Sequence, residues 1–424
     1  MLRAANQILP KVVSDVILKD QAGMALGIAG RKSTVLMKKS VCIISFSNIL
    51  RDARVLRQIQ CLSDYFDLTV IGFGQPHPKW ISKPNVNWIA LLPSKVAPHT
   101  SLVLLSMGKF LPSAYDNWYW RKIHHRQAHV HVIESAIDAI HVNEWDALPL
   151  AVEAARTIKA KIVFDAHEYT PGQYDNVFFL KRWLMQPTVE YFLQKYSSFV
   201  DASITVELSI SKKLHHRFGL KPMVVLNAPE YAFLAPKQID PENIRLIYHG
   251  LASPDRRLET MIETLKFCDK RYSLYFMLTE SNPRYVRRLK HLANLRGPGR
   301  IFFPEAVPPE KIVQTIADYD VGFYILPPTN ENNRLALPNK FFDFLMAGLA
   351  VCIGPSPSMA EIVNRYRLGC VAPTFEPRDI ASILNQLNVH DLWKMKRAAR
   401  KAAAQLNAGN EMIKVIDLYK RLLI

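Results

Sequence analysis

A lysine and an aspartate three positions apart, Lys340 and Asp343 in LPNKFFDFLMAG, share one face of an otherwise apolar helix. Pro338 suits the first turn, Asn339 carries a capping side chain and Gly348 is a natural C′ residue, so the helix begins beside Lys340. Free backbone N–H groups and an ammonium at that end are complementary to phosphate oxygens. A carboxylate one turn further on can accept from the vicinal hydroxyls of a ribose. These are partners for a nucleotide. A solvent-exposed Lys340–Asp343 ion pair, worth at most about 1 kcal/mol, is the plainer alternative.

Two other stretches carry chemistry of the same kind. LIYHGLASPDRRLETMI runs from a strand through Gly250 into a loop bearing Arg256 and Arg257. Glycine admits a ligand close to the backbone, and the arginines supply charge-assisted bonds suited to a diphosphate. KIVFDAHEYTPG sets His167 just past a strand, where residues facing a cleft sit. Other candidates are weaker. Asp318 and Asp320 have the DxD spacing of a metal site but fall at a helix-to-strand junction, where aspartates commonly terminate helices, so no metal is expected. The pairs His124 and His125, His129 and His131, and His215 and His216 lack an HExxH-type carboxylate and read as solvated or core histidines. Gly72 and Gly74 in VIGFG lack the third glycine of a dinucleotide fingerprint and read as a turn.

The elements that must position these groups alternate in type. From about residue 39, β-branched or aromatic runs (SVCIISFS, DLTVIGFG, NVNWIALL, AIDAIHVN, KIVFDAHE, DASITVE, PMVVLN) are separated by helical stretches such as the Val55, Ile59, Leu62 stripe and ALPLAVEAARTIKA. The pattern pauses at the proline-rich NAPEYAFLAPKQIDPEN and resumes with IRLIYHG, YSLYFMLT, RIFFPEAV, VGFYILPP, LAVCIG and CVAP. This predicts an α/β chain of two doubly wound, Rossmann-like domains with a cleft between the carboxyl ends of their strands. The expected divisions are an N-terminal arm over 1–38, a first domain over 39–226, a linker over 227–243, a second domain over 244–389 and C-terminal helices over 390–424. A length of 424 residues with 49% hydrophobic content is ample for two cores. The five cysteines are scattered without a CxxC pair, which argues against a disulfide framework or zinc site and fits a reducing compartment. No apolar run reaches the length of a membrane span or signal peptide, and a cytoplasmic protein is expected. A net charge of +17 predicts attraction to something anionic.

NILRDARVLRQIQCLSDYFDLTVIGFG, IDAIHVNEWDALPLAVEAARTIKAKIVFDAHE, ITVELSISKKL with VVLNAPE, and LPNKFFDFLMAGLAVCIGPSPSMAEIV occur in an order that resembles retaining glycosyltransferases of the GT-B fold, of the family 4 type. The resemblance spans nearly everything after residue 40. It implies a nucleotide-diphosphate sugar as co-substrate, with no metal and no other cofactor. It further implies that Asp343 binds the donor ribose, that Arg256 binds phosphate, and that His167 is the cleft histidine near the transferred sugar. Gly250, Arg257, Asn339 and Lys340 complete the donor side. The acceptor-side loop is SNILRDAR, contributing Asn48, Arg51, Asp52 and Arg54. Three positions depart from the pattern. Leu335 stands where a first acidic residue contacts the sugar, Leu251 stands where a cation follows the loop glycine, and the acceptor-side loop is not glycine-rich. The last helix is expected to cross back to the first domain.

Between Asp67 and Glu134 lie seven Lys or Arg residues against the single acid Asp116, with Trp80, Trp88, Trp118, Trp120 and the apolar SLVLLSMGKFL. Tryptophan beside cations is what docking on an anionic membrane needs, at about 1 kcal/mol per cation. A basic surface with core tryptophans is the alternative. No RNP, KH or helix-turn-helix pattern interleaves the cations, so nucleic acid is not an expected partner. The expectation is transfer of a sugar to a glycan or lipid-linked acceptor in surface polysaccharide biosynthesis, peripheral on the inner membrane face. A nucleotide-sugar epimerase of the same fold and a catalytically idle glycan- or partner-binding protein are the alternatives.

Overall fold

The computed structural model describes residues 38–423 apart from 77, 176–177, 236 and 280–281. The arm expected over 1–38 lies outside them, Lys38 excepted. Two parallel sheets organise the rest. Strands β1 (Ser40–Asn48), β2 (Asp67–Phe73), β3 (Val86–Leu91), β4 (Ala139–Asn143), β5 (Lys161–Ala166), β6 (Ala202–Thr205) and β7 (Met223–Val224) form the first, in the order β3-β2-β1-β4-β5-β6-β7. Strands β8 (Ile244–Leu251), β9 (Tyr272–Thr279), β10 (Ile301–Phe302), β11 (Val321–Tyr324), β12 (Ala350–Ile353) and β13 (Gly369–Val371) form the second, in the order β10-β9-β8-β11-β12-β13. Each coincides with a run picked out above, β1, β8 and β13 extending one residue beyond it. Helices cover both faces of a parallel sheet, so its central strands bury consecutive residues, as Val41–Ile44 do. Chain order jumps between β1 and β4 and between β8 and β11, and a crevice opens at the carboxyl ends there.

The helix Ala53–Leu62 follows β1, capped by Asp52, whose Oδ1 accepts from Val55 N at 3.2 Å. Its Val55, Ile59 and Leu62 join a cluster with Val41, Ile43 and Val70. The last helix, Ala408–Leu423, packs on the same side through Met412, Val415 and Tyr419. There the Tyr419 hydroxyl lies 2.8 Å from His141 Nδ1, and Glu411 accepts from Leu226 N at 2.8 Å.

Two local expectations need correction, the cap of the Lys340 helix and the outward-facing tryptophans. Pro338, with ψ 156, is itself the N-cap of the helix Asn339–Met346; its extended backbone makes Asn339 the first helical residue, and no side chain caps the helix. Gly348, at φ +67, ends it as expected. Trp80 and Trp118 are buried, and Trp88 donates to Gly74 O at 3.1 Å. These indoles serve the core instead of an outer surface. Asp320 is buried, accepting from Arg245 N at 2.9 Å with Lys396 Nζ at 3.5 Å, while Asp318 pairs with Lys237. His124 and His125 are buried among Phe46, Phe73 and Tyr119. No helix among the described residues is long and apolar enough to cross a membrane.

Candidate functional site

The wall contributed by the second sheet centres on Lys340. The side chain turns inward from the first turn of its helix and is only 6% exposed. Its Nζ lies 4.8 and 4.9 Å from the ring centroids of Tyr248 and Tyr324 and 3.4 Å from the Tyr248 hydroxyl. Gly250, at φ +114, makes room for it: a Cβ there would come within 3.2 Å of the ammonium. Arg256 reaches the same place, with Nη1 3.4 Å from the Tyr324 hydroxyl. Burial, and then Arg256, hold the Lys340 ammonium well below its ordinary pKa. Two cations and a helix amino end therefore converge where, among the described residues, no carboxylate pairs with either within 4 Å.

Asp343 lies one turn further on. No ion pair within 4 Å joins it to Lys340 among the described residues, and Lys340 is buried, so the surface-pair alternative does not hold. Burial pushes the Asp343 carboxyl up to about 7, against the pull of Lys340 and Arg57. Its Oδ2 lies 3.4 Å from His249 Nε2, but without hydrogen-bond alignment, leaving that nitrogen unpartnered. Burial, with Lys340 and Arg256, lowers His249 to about 3, so its ring is neutral.

The facing wall comes from the first sheet. His167 follows β5, its Nε2 donating to Asn143 Oδ1 at 2.9 Å and its backbone N–H to Glu144 Oε1 at 3.0 Å. Beneath it, Asp165 accepts Arg54 Nε at 2.6 Å, Arg54 Nη2 at 2.8 Å and Gln58 Nε2 at 2.5 Å. Burial opposes the Asp165 charge, but Arg54 and His167 outweigh it and hold the carboxyl well below its usual range. Burial likewise disfavours a charged His167, yet Asp165 and Glu144 raise its pKa on balance. Glu144 sits at φ 68, ψ 162, a sparsely populated region for a residue with a Cβ. Its Oε2 accepts from Thr170 Oγ1 at 3.1 Å, and burial lifts its carboxyl to about 7 although 27% of the side chain remains open to the cleft.

The two walls enclose about 650 Å³. His167, Gly250, Arg256, Asn339, Lys340, Asp343 and Arg51 all line this space. Asp52 lines an adjoining lobe that shares His167. Three expected residues are elsewhere. Arg54 is 2% exposed and spent on Asp165 and the Val225 carbonyl, so it is a framework residue and not an acceptor contact. Arg257, exposed at φ +49, and Asn48, also exposed, line neither space. Leu251 lines the cleft, whereas Leu335 packs into a first-sheet cluster, a short strap that also pairs Glu331 with Lys213 at 2.5 Å. The sequence reading passed over His249, Tyr248, Tyr324, Glu144 and Arg57. Arg57 bonds Asn227 and acts electrostatically on Asp343. His249 and Tyr248 had a signal, being the strand residues just before Gly250.

No protein-family model matches the chain, and no curated protein matches it in sequence. Solved structures do match. Anabaena HepE in complex with UDP and glucose superposes with a TM-score of 0.64 at 15% identity, over 90% of this chain and 100% of that one. Sucrose-phosphate synthase from Thermosynechococcus elongatus gives 0.66 at 13%, over 91% and 99%. The α,α-trehalose 6-phosphate synthase of Burkholderia multivorans gives 0.62 at 10%, over 90% and 98%. The chain has the GT-B fold. In GT-B terms the first sheet and the last helix make one half and the second sheet the other. The cleft lies at the carboxyl ends of β1, β4 and β5 on one side and of β8 on the other.

Proposed function

We propose that this chain transfers a sugar from a nucleoside-diphosphate donor to a hydroxyl of a glycan or lipid-linked acceptor, with retention of configuration and without a metal, in surface polysaccharide assembly. The observation that carries the reading is the convergence of Lys340, Arg256 and the Asn339–Met346 amino end on one wall, with Asp343 one turn beyond and His167 opposite. The diphosphate binds at the two cations, its charge favouring the protonated form of Lys340 that burial disfavours, and Asp343 accepts from the ribose hydroxyls. As the glycosidic bond to phosphate breaks, the cations and helix amino end stabilise the charge on the leaving oxygen. The acceptor attacks from the same face, and the departing phosphate takes its proton. His167, locked by Asn143 and Asp165, orients the sugar. HepE was solved with UDP and glucose in the same fold, which supports this class of donor.

The test is release of nucleoside diphosphate from UDP-, GDP-, dTDP- and ADP-sugars. One donor is consumed by the wild type, and His167→Ala slows it by about 10²-fold, the cost of a misplaced reacting sugar, with diphosphate affinity unchanged. Full turnover in the variant removes the role of His167. Epimer formation without acceptor identifies an epimerase instead, and absence of any turnover identifies an idle binding protein.

Docking on an anionic membrane uses a different surface from the expected tryptophans. Lys109, Phe179, Arg182 and Trp183 line one groove, with Lys109 Nζ 3.4 Å above the Trp183 ring. Beside them in sequence, Phe110 is 90% exposed, and Leu111 and Phe178 are exposed as well. Apolar rings among cations suit the lipid interface. Salt-sensitive cosedimentation with phosphatidylglycerol vesicles, lost in Phe110→Asp with Lys109→Glu, supports the surface; equal sedimentation of variant and wild type removes it.

A further inference from the structure

The cleft has a second lobe of about 290 Å³ on the first-sheet side, opening into the main space at His167 and Glu168. His167 apart, the titratable groups of its lining are all acidic. Asp52, Glu144, Asp146 and Glu168 contribute four carboxyl groups, and no lysine or arginine lines it among the described residues. Lys122, the cation acting on Asp146, lies 4.0 Å over the Trp118 ring and is not part of the lining. Phe46 and Trp145 supply aromatic surface to the same lobe, Trp145 held by stacking on Phe192. Carboxylates that accept hydroxyl protons beside aromatic rings that cover C–H faces are what an uncharged sugar ring requires. A phosphate ester would meet four carboxyls and find only the His167 ring, whose Nε2 already donates to Asn143, the arrangement by which a site rejects a competitor.

We infer that this lobe seats the acceptor as a neutral or amino-bearing sugar ring and excludes sugar phosphates, with Asp146 and Glu144 setting that specificity. The inference rests on the transfer reading, and it divides the cleft by charge. The cationic wall holds the anionic donor, and the carboxyl-lined lobe holds the polyhydroxy acceptor beyond His167. Asp52 and Glu168 already have partners that fix them: Asp52 accepts from Ser47 Oγ at 2.9 Å, and Glu168 from Asn332 Nδ2 at 2.9 Å. Glu144 is similarly held by Thr170 and His167 N. Asp146 is held by the backbone N–H groups of Asp146 and Ala147 and, among the described residues, has no side-chain hydrogen bond, which makes it the variant of choice.

The experiment measures consumption of the accepted donor with glucose, galactose, mannose and glucosamine, each against its 6-phosphate. The expected result is that at least one parent sugar alters donor consumption and its 6-phosphate does so about tenfold more weakly or worse. Asp146→Asn then narrows that gap several-fold, a readout that a merely structural loss would not give. Two results overturn the inference: 6-phosphates acting as well as their parent sugars, or donor hydrolysis that no sugar alters. If no donor is consumed under any condition, the transfer reading itself fails and takes the inference with it. That outcome is distinct from the other two, because both of those require an active donor site.

Discussion

Asp343→Asn is expected to raise the stability of the protein at pH 8 while weakening its grip on a nucleotide. Burial lifts the folded-state carboxyl from an ordinary 3.8 to about 7, so ionising it inside the protein is unfavourable. Each tenfold change in proton affinity is worth about 1.36 kcal/mol, which sets a ceiling of about 4 kcal/mol on the cost. That ceiling already contains the pull of Lys340 and Arg57, and because the side chain keeps 14% of its surface open, solvent screening reduces the cost to about 1–2 kcal/mol. An amide of the same shape carries no such cost. The folded state binds the proton more tightly than the unfolded one, so wild-type stability falls as pH rises from about 4 to about 7, with the full penalty present above that range. The gain from Asn is therefore largest at pH 8 and vanishes near pH 4. For a chain of 424 residues, about 1–2 kcal/mol is about 1–2 °C in Tm, readable by circular dichroism melts at pH 5, 6.5 and 8. A variant that melts below wild type at pH 8 by a similar margin, with a gap independent of pH, would show that Asp343 is held in a stabilising ion pair and refute the reasoning.

Three further outcomes are expected. Arg54→Ala leaves Asp165 buried without its bidentate partner and costs about 3–5 kcal/mol in urea unfolding; a loss below 1 kcal/mol contradicts the framework role. Gly250→Ala forces a left-handed φ on a residue with a Cβ and crowds the Lys340 ammonium, so stability drops by about 1–3 kcal/mol and diphosphate affinity falls with it; unchanged affinity by calorimetry argues against the convergence of Gly250 and Lys340. Leu335→Glu does not restore a sugar contact but buries a charge in the first-sheet cluster, lowering stability by about 2 kcal/mol or more; improved turnover at unchanged Tm would contradict that placement.

Sequence legibility differed between local and long-range features. The strands were legible because parallel strands bury both faces and so read as continuous β-branched runs. The Lys340–Asp343 helix was legible because its ends and its spacing are local properties of a dozen residues. Arg54 looked like a cleft cation, and what assigns it to the framework is Asp165, 111 positions away. A signal was present all the same. Arg54 and Gln58 lie one turn apart beside the Val55, Ile59, Leu62 stripe, and an aspartate inside the apolar run KIVFDAHE needs a buried partner. The tryptophans misled because composition reports which residues a span holds and not which way they face. The exposed rings include Phe178, Phe179 and Trp183, which lie outside the basic span 67–134. Glu144 and Arg57 had no local mark, since one depends on a strained turn and the other on reach across the cleft.

The most direct test of the donor wall is calorimetric titration with UDP, GDP, dTDP, ADP and CMP, on the wild type and on Asp343→Ala. The account expects one diphosphate to bind and the substitution to weaken it by about 1–3 kcal/mol, the cost of ribose hydroxyls left without their acceptor. Binding of none of the five, or equal binding by the alanine variant, would contradict the assignment of this wall to a nucleotide.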